Sequence, residues 1–297
     1  MSKRSFRSLF VLTAAVLALT GCNSKSSSGR DVTIDGTTYR IEADHLIVGM
    51  ECDYAPFNWT DSDSNDHNFK ISNAQGYADG YDVQIAHRLG EILGVDVEIN
   101  KEVWDSLIID CQSDSINMVL AGMTDTEERE QSIDFTSEYY RSEVVLLTDK
   151  DVADSYEGKI LEPDDLRTLL NGKNVVSQRD TVEDDMIDNF VRDYGANHAA
   201  AQNTYALAAT DVSNGTADFL TVELPVAQNY VKNFTGVGII HMDQSVLGVD
   251  LSQLGVSIGI KKGNSGLKSA LNAALAKISQ EERNTLMTQA VERSSSN

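Results

Sequence analysis

A chain of 297 residues with 46 acidic and 24 basic side chains carries a formal net charge of −22. So acidic a surface argues against nucleic acid as a partner and against electrostatic adhesion to anionic lipid, while it attracts cations at long range. The apolar share, 41%, is that of a globular protein, and the length allows one large or two medium domains.

The chain opens with basic Lys3, Arg4 and Arg7, followed by an apolar run over 9–19 that is too short to span a bilayer core of ~30 Å. Its end, Leu19-Thr20-Gly21-Cys22, resembles the bacterial lipoprotein signal. That resemblance implies removal of residues 1–21 and acylation of Cys22 as the new N-terminus; the other reading is a buried helix with a stray cysteine. Loss of the three positive charges would take the net charge from −22 to −25. The run after Cys22 is rich in Ser and without an apolar anchor, so residues 22–39 are read as a flexible spacer. No later stretch approaches a membrane-crossing length, which leaves the lipid as the only membrane contact.

The pattern then predicts a strand over 46–50 and a helix over 82–94, with Asp82 as its N-cap and Gly94 near its stop. A strand over 95–99, a helix over 104–111 and a strand over 116–121 complete a first α/β unit. A second unit has strands at 144–147, 174–177 and 218–222 and helices at 163–170, 181–194 and 204–212. A strand at 256–260 and helices at 267–278 and 281–291 close the chain. This alternation implies mainly parallel sheets covered by helices. In the polar stretch 60–80, Asp61, Asp63 and Asn65 alternate as calcium ligands do. The following Gly and the distal Glu of such a loop are absent, so a solvated surface loop is the better reading. Cys52 and Cys111 could form a disulfide in an exported protein, or stay as two free buried thiols. No His cluster accompanies them, so neither a metal nor a cofactor is expected.

Three segments stand at predicted strand ends, where ligands of open α/β sheets sit. The first runs from Glu51 to Trp59 and combines two acids with Tyr54, Phe57 and Trp59; it suits a cation or simply roofs the core. The second, Ala121 to Arg129, offers Thr124, a capped helix start and Arg129, which together could hold a carboxylate or amount to a surface turn. The third is Ser177 to Thr181, with Glu223 after a neighbouring strand; both could be plain helix caps.

From 46 to 291 the chain resembles the extracellular solute-binding proteins of amino-acid ABC importers. The resemblance rests on Leu46-x-Val48-Gly49 with Tyr54-Ala55-Pro56-Phe57, Gly80-Tyr81-Asp82-Val83 and Gly122-Met123-Thr124-x-Thr126-x-x-Arg129. Ile133-Asp134-Phe135-Thr136, Tyr139-Tyr140 and Ile260-x-Lys262-Gly263 agree. It implies an α/β fold of the periplasmic-binding-protein-like type II, two lobes joined by two crossover strands with a ligand cleft between them. Lobe one would comprise 40–143 plus 253–297, and lobe two 144–252. By resemblance Arg129 clamps the ligand α-carboxylate with Thr124 and Thr181, while Gly122 and Glu223 receive the α-ammonium. Tyr54 and Trp104 would sandwich the ligand side chain, and Glu51 would meet its distal polar group. Glu223 replaces the family's usual Asp, and Arg179-Asp180 its usual small pair.

Aromatic walls plus a carboxylate fit lysine, arginine or ornithine, with glutamine as the alternative. The expected partners are a free amino acid and the permease and ATPase subunits of the importer, and a monomer is expected. The resemblance places the protein on the outer face of the membrane, more in keeping with a Gram-positive envelope than a periplasm. A stand-alone sensor and a dehydratase-like enzyme on the same fold are the competing classes. The five histidines fall outside every pocket segment, and no nucleophile–base pair is evident.

Overall fold

Alternation puts Val32, Ile34 and Ile41 on one buried face of an antiparallel hairpin, β1 (Arg30–Ile34) and β2 (Thr37–Ile41), in the computed structural model, which describes residues 29–251 and 254–294. Its turn, Asp35-Gly36, has positive φ at both positions, 49° and 78°, the geometry that Asp-Gly supplies in two-residue hairpins. The spacer assigned to 22–39 is therefore corrected: from Arg30 onward it is a hairpin with a buried face. Cys22 and the apolar run ahead of it lie outside the described residues.

After β3 (His45–Met50) come β4 (Asp53–Tyr54), β5 (Asn58–Asp61), β6 (Phe69–Lys70) and β7 (Tyr77–Asp79), a small antiparallel sheet in the order β4-β5-β7-β6. In the stretch tested for calcium ligands, Asp61 accepts from Trp59 Nε1 at 2.9 Å and from Asn68 Nδ2 at 3.0 Å, so its oxygens serve the loop itself. Helix α1 (Tyr81–Leu93) begins at Gly80, not at Asp82 as expected. Gly80 has φ 133°, and a Cβ there would lie 2.2 Å from the Phe57 carbonyl. Asp82 is instead buried in the first turn, accepting from Tyr139 at 2.6 Å and Asn58 at 2.8 Å. Gly94 ends the helix in the left-handed region, as its position predicts.

The first lobe continues with β8 (Asp96–Lys101), a 3-10 turn at Trp104–Ser106, α2 (Leu107–Gln112), β9 (Met118–Val119), α3 (Glu127–Glu130) and β10 (Ile133–Arg141). The second is built from β11 (Val144–Asp149), α4 (Lys150–Asp154), β12 (Ile160–Leu161), α5 (Pro163–Leu170), β13 (Asn174–Val176), α6 (Val182–Tyr194) and β14 (Asn197–His198). Helix α7 (Tyr205–Ser213), β15 (Phe219–Glu223), α8 (Leu224–Asn233) and β16 (Val237–Met242) complete it. β17 (Gly255–Lys261), α9 (Ser265–Leu275) and α10 (Gln280–Ser294) then return to the first.

The two main sheets have the orders β10-β17-β9-β3-β8 and β12-β16-β11-β15-β13-β14. Each is mixed rather than mainly parallel. β3 runs parallel to β8 and β9, but the outgoing β10 and the returning β17 lie antiparallel. In the second sheet β11 is antiparallel to both β15 and β16. A chain that leaves one lobe and later comes back must run both ways across the junction, so reversed strands accompany the crossover.

Cys52 and Cys111 are both buried and both free. They sit on separate elements, the corner after β3 and α2, and burial pushes each thiol up to about 12. Such protonated thiols are unreactive; of the two readings the sequence left open, the structure holds two free core thiols.

Candidate functional site

The carboxyl ends of β3, β9, β13 and β15 all face the junction between the lobes. Glu51 follows β3, Gly122 follows β9, Gln178 follows β13, and Glu223 is the last residue of β15. Thr181 caps α6 by accepting from Asp184 N–H at 3.2 Å, and its hydroxyl donates to the Gln178 carbonyl at 2.7 Å. Gly122 has φ 60°, and a Cβ on it would stand 2.8 Å from Tyr54 Cε1, so the site tolerates no side chain there.

One cavity gathers Glu51, Tyr54, Trp104, Gly122, Thr124, Arg129, Thr181 and Glu223, all eight residues named from the sequence. It adds Ala121, Gln178, Val182, Glu183 and Tyr205. The enclosed space is only about 10 Å³, room for about one water, because side chains from the two lobes meet across it. Tyr54 donates its hydroxyl to Glu223 Oε2, and Gln178 Nε2 donates to Glu51 Oε1 at 2.9 Å. Arg129 donates from Nη1 to the Thr124 carbonyl at 2.7 Å and from Nη2 to the Asp180 carbonyl at 2.9 Å. Trp104 Nε1 donates to the same Asp180 carbonyl at 3.2 Å.

The aromatic groups depart from the expected sandwich. Tyr54 stacks on Phe57 at 5.2 Å and on Tyr205 at 5.0 Å, so protein covers both of its faces. The Arg129 guanidinium lies 5.3 Å from the centre of the Trp104 ring. In this closed arrangement each face that would receive a ligand side chain rests on a protein group instead.

Charge is concentrated here. The cavity wall carries one cation, Arg129, and three buried carboxyls, Glu51, Glu183 and Glu223. Burial raises Glu51 to about 7, opposed by the Gln178 hydrogen bond. Burial likewise raises Glu183 and Glu223. Tyr205 donates to Glu183 Oε2 at 2.9 Å, which pins that carboxyl at the start of α6. Neither residue was singled out from the sequence. Glu183 was legible as an acid in the first turn of a capped helix, whereas Tyr205 reads as an ordinary first-turn core residue.

Beside Arg129 a larger cavity, about 330 Å³, opens outward past Trp104, Asp105, Glu128, Asp180 and Asp185. The cleft is thus a buried, carboxyl-rich floor with an acidic approach, reached where two lobes part. A family model for the bacterial extracellular solute-binding proteins, family 3, matches residues 46–290.

The chain belongs to that family.

Among similar proteins, an arginine-binding extracellular protein of Bacillus subtilis (strain 168) is 26% identical over 76% of this chain and 75% of its own length. A probable histidine-binding protein of Neisseria gonorrhoeae is 26% identical over 90% of this chain and 88% of its own. Of solved structures, an amino-acid ABC transporter substrate-binding protein from Streptococcus pneumoniae, bound to L-arginine, superposes with a TM-score of 0.68 at 22% identity. It covers 84% of this chain and 96% of that one, which establishes the shared two-lobed fold. Family-3 proteins are solute binders, and among the described residues no helix is long and apolar enough to cross a membrane.

Proposed function

We propose that this family-3 protein is the substrate-binding lipoprotein of an ABC importer and captures a basic amino acid, lysine, arginine or ornithine, outside the cell. The observation that carries the reading is the wall of one cation and three buried carboxyls. A ligand with one carboxylate and two cationic groups complements it: Arg129 takes the carboxylate with Thr124 and Thr181, Glu223 and the Gly122 carbonyl take the α-ammonium, and Glu51 takes the distal cation. Tyr54 and Trp104 flank the aliphatic stem once Tyr205 and the Arg129 fork yield their faces. Binding on lobe one (40–143 plus 253–297) draws in lobe two (144–252), and the closed form docks on permease and ATPase subunits. The arginine-binding relative from Bacillus subtilis is consistent with this assignment.

Calorimetric titration of the domain from residue 29 onward with a panel of amino acids tests the reading. Tight binding of arginine or lysine is expected; tight glutamine binding with none for either would reject it. Glutamine is the second reading because Glu51, raised to about 7, is partly protonated near neutrality and can then exchange hydrogen bonds with an amide in both senses. The lipid on Cys22 holds the monomeric receptor at the outer face of the membrane, in a Gram-positive envelope. A Cys22→Ala chain released to the soluble fraction would support the anchor; one still bound to membranes would reject it.

A further inference from the structure

Gln178 is 1% exposed and is fixed on its own lobe from three directions. The Thr181 hydroxyl donates to its carbonyl at 2.7 Å, its backbone bridges to Gln202, and its Nε2 donates to the Asn203 carbonyl at 3.2 Å. The same nitrogen crosses the cleft to Glu51 Oε1 at 2.9 Å. An amide N–H can only donate, so this contact favours the carboxylate over the acid. Around Glu51, burial, Asp53 and Asp105 push toward the acid, while Gln178 and Lys101 push the other way. The Tyr230 phenol on α8, kept neutral by its burial, lies within electrostatic reach of Glu51 and Asp53. A carboxylate that accepts one bond at Oε1 retains acceptor capacity for a second donor.

We propose that Gln178 is a specificity-determining positioning residue: as the lobes meet, its amide holds Glu51 Oε1 and leaves the other oxygen to take the distal cation of a basic ligand. This rests on the basic-amino-acid reading of the cleft. Gln178 itself need not touch the ligand. It makes recognition of the distal group conditional on closure, because the donor arrives on the second lobe while its carboxylate waits on the first.

The test compares wild type with Gln178→Leu, similar in size and unable to donate, by calorimetry with arginine and with its uncharged near-isostere citrulline. Arginine affinity is expected to fall about tenfold or more, the loss of a hydrogen bond to a charged group, while citrulline affinity changes by less than about threefold. The pH at which arginine binding reaches half its plateau should also rise, since Glu51 loses a bond that favours its ionised form. Equal losses for both ligands, or no loss for either, would overturn the inference. Wild type with no preference for arginine over citrulline would overturn the basic-ligand reading and this inference with it. That outcome is distinguishable from a wild-type preference that Gln178→Leu leaves intact, which sinks the inference alone. Should Gln178→Leu not fold, Gln178→Met is used, and a cycle with Glu51→Gln decides: the Gln178 change should alter arginine binding by less than about twofold once Glu51 is neutral. Full additivity would refute the coupling.

Discussion

Replacing Arg129 with alanine strips the cleft of its one wall cation. In the structure both ends of the guanidinium fork hold neutral carbonyls, Thr124 at 2.7 Å and Asp180 at 2.9 Å. Ligand binding would exchange the Asp180 carbonyl for a carboxylate, and a charge-assisted bond is roughly twice as strong as a neutral one. Without Arg129 that carboxylate enters a cleft already carrying Glu51, Glu183 and Glu223, with no cation to meet it. The expected cost is about 2–4 kcal/mol, or about 30- to 700-fold in Kd. Arg129→Lys keeps the charge but not the planar fork, so an intermediate loss of about 1–2 kcal/mol should follow. Isothermal titration with arginine at pH 8, where Glu51 is largely ionised, reads both variants. An unchanged Kd for Arg129→Ala would refute the assigned carboxylate clamp.

The protein without added amino acid should lose stability as pH rises. Burial lifts Glu51 and Asp82 to about 7 and raises Glu223 in the same direction, so the folded state holds protons that the unfolded chain has released. Their contribution is fully present below about pH 4, and up to a few kcal/mol should be gone by about pH 8. Urea midpoints that climb over that interval would contradict it. Gly122→Ala forces a side chain into the left-handed region and against Tyr54, and should cost about 1–2 kcal/mol in stability together with weaker ligand binding; thermal melts and titrations at wild-type values would show the fit is looser than drawn. In the domain from residue 29 onward, Ellman's reagent should find no reactive thiol in the native state and both Cys52 and Cys111 after unfolding without reductant; no thiol on unfolding would mean the two pair.

Much of this architecture can be read from local chemistry. Thr181, Thr204 and Gly94 mark helix ends through caps whose partners lie within a few residues, and Pro163 opens α5 at its first position. Residues after β3, β9, β13 and β15 converge because each of these strands directs its carboxyl end toward the cleft, although their sheets are mixed. The hairpin at 30–41 carried its own signal, Asp35-Gly36 between alternating residues, but the Ser-rich run ahead of it drew the reading toward a spacer. Other features have no local signature. Tyr205 covers Tyr54, and Gln178 reaches Glu51 across 127 positions of sequence, because closure of two lobes brings them together. Asp82 looked like a cap since its type favours that place; Gly80 takes the role because the Phe57 carbonyl leaves no room for a Cβ.

The N-terminal hairpin also bears on mechanics. A pull on the chain ahead of Arg30 acts at the open end of β1, where Arg30 lies opposite Ile41 and the chain continues into the first lobe. Force applied there loads the strand pairs one after another, as a zipper opens, instead of shearing all five at once. The hairpin would therefore yield before β3, which is hydrogen-bonded on both sides by β8 and β9. In the proposed receptor anchored through Cys22, opening it would lengthen the tether by roughly 3.3–3.6 Å for each residue freed, leaving the ligand cleft unstrained.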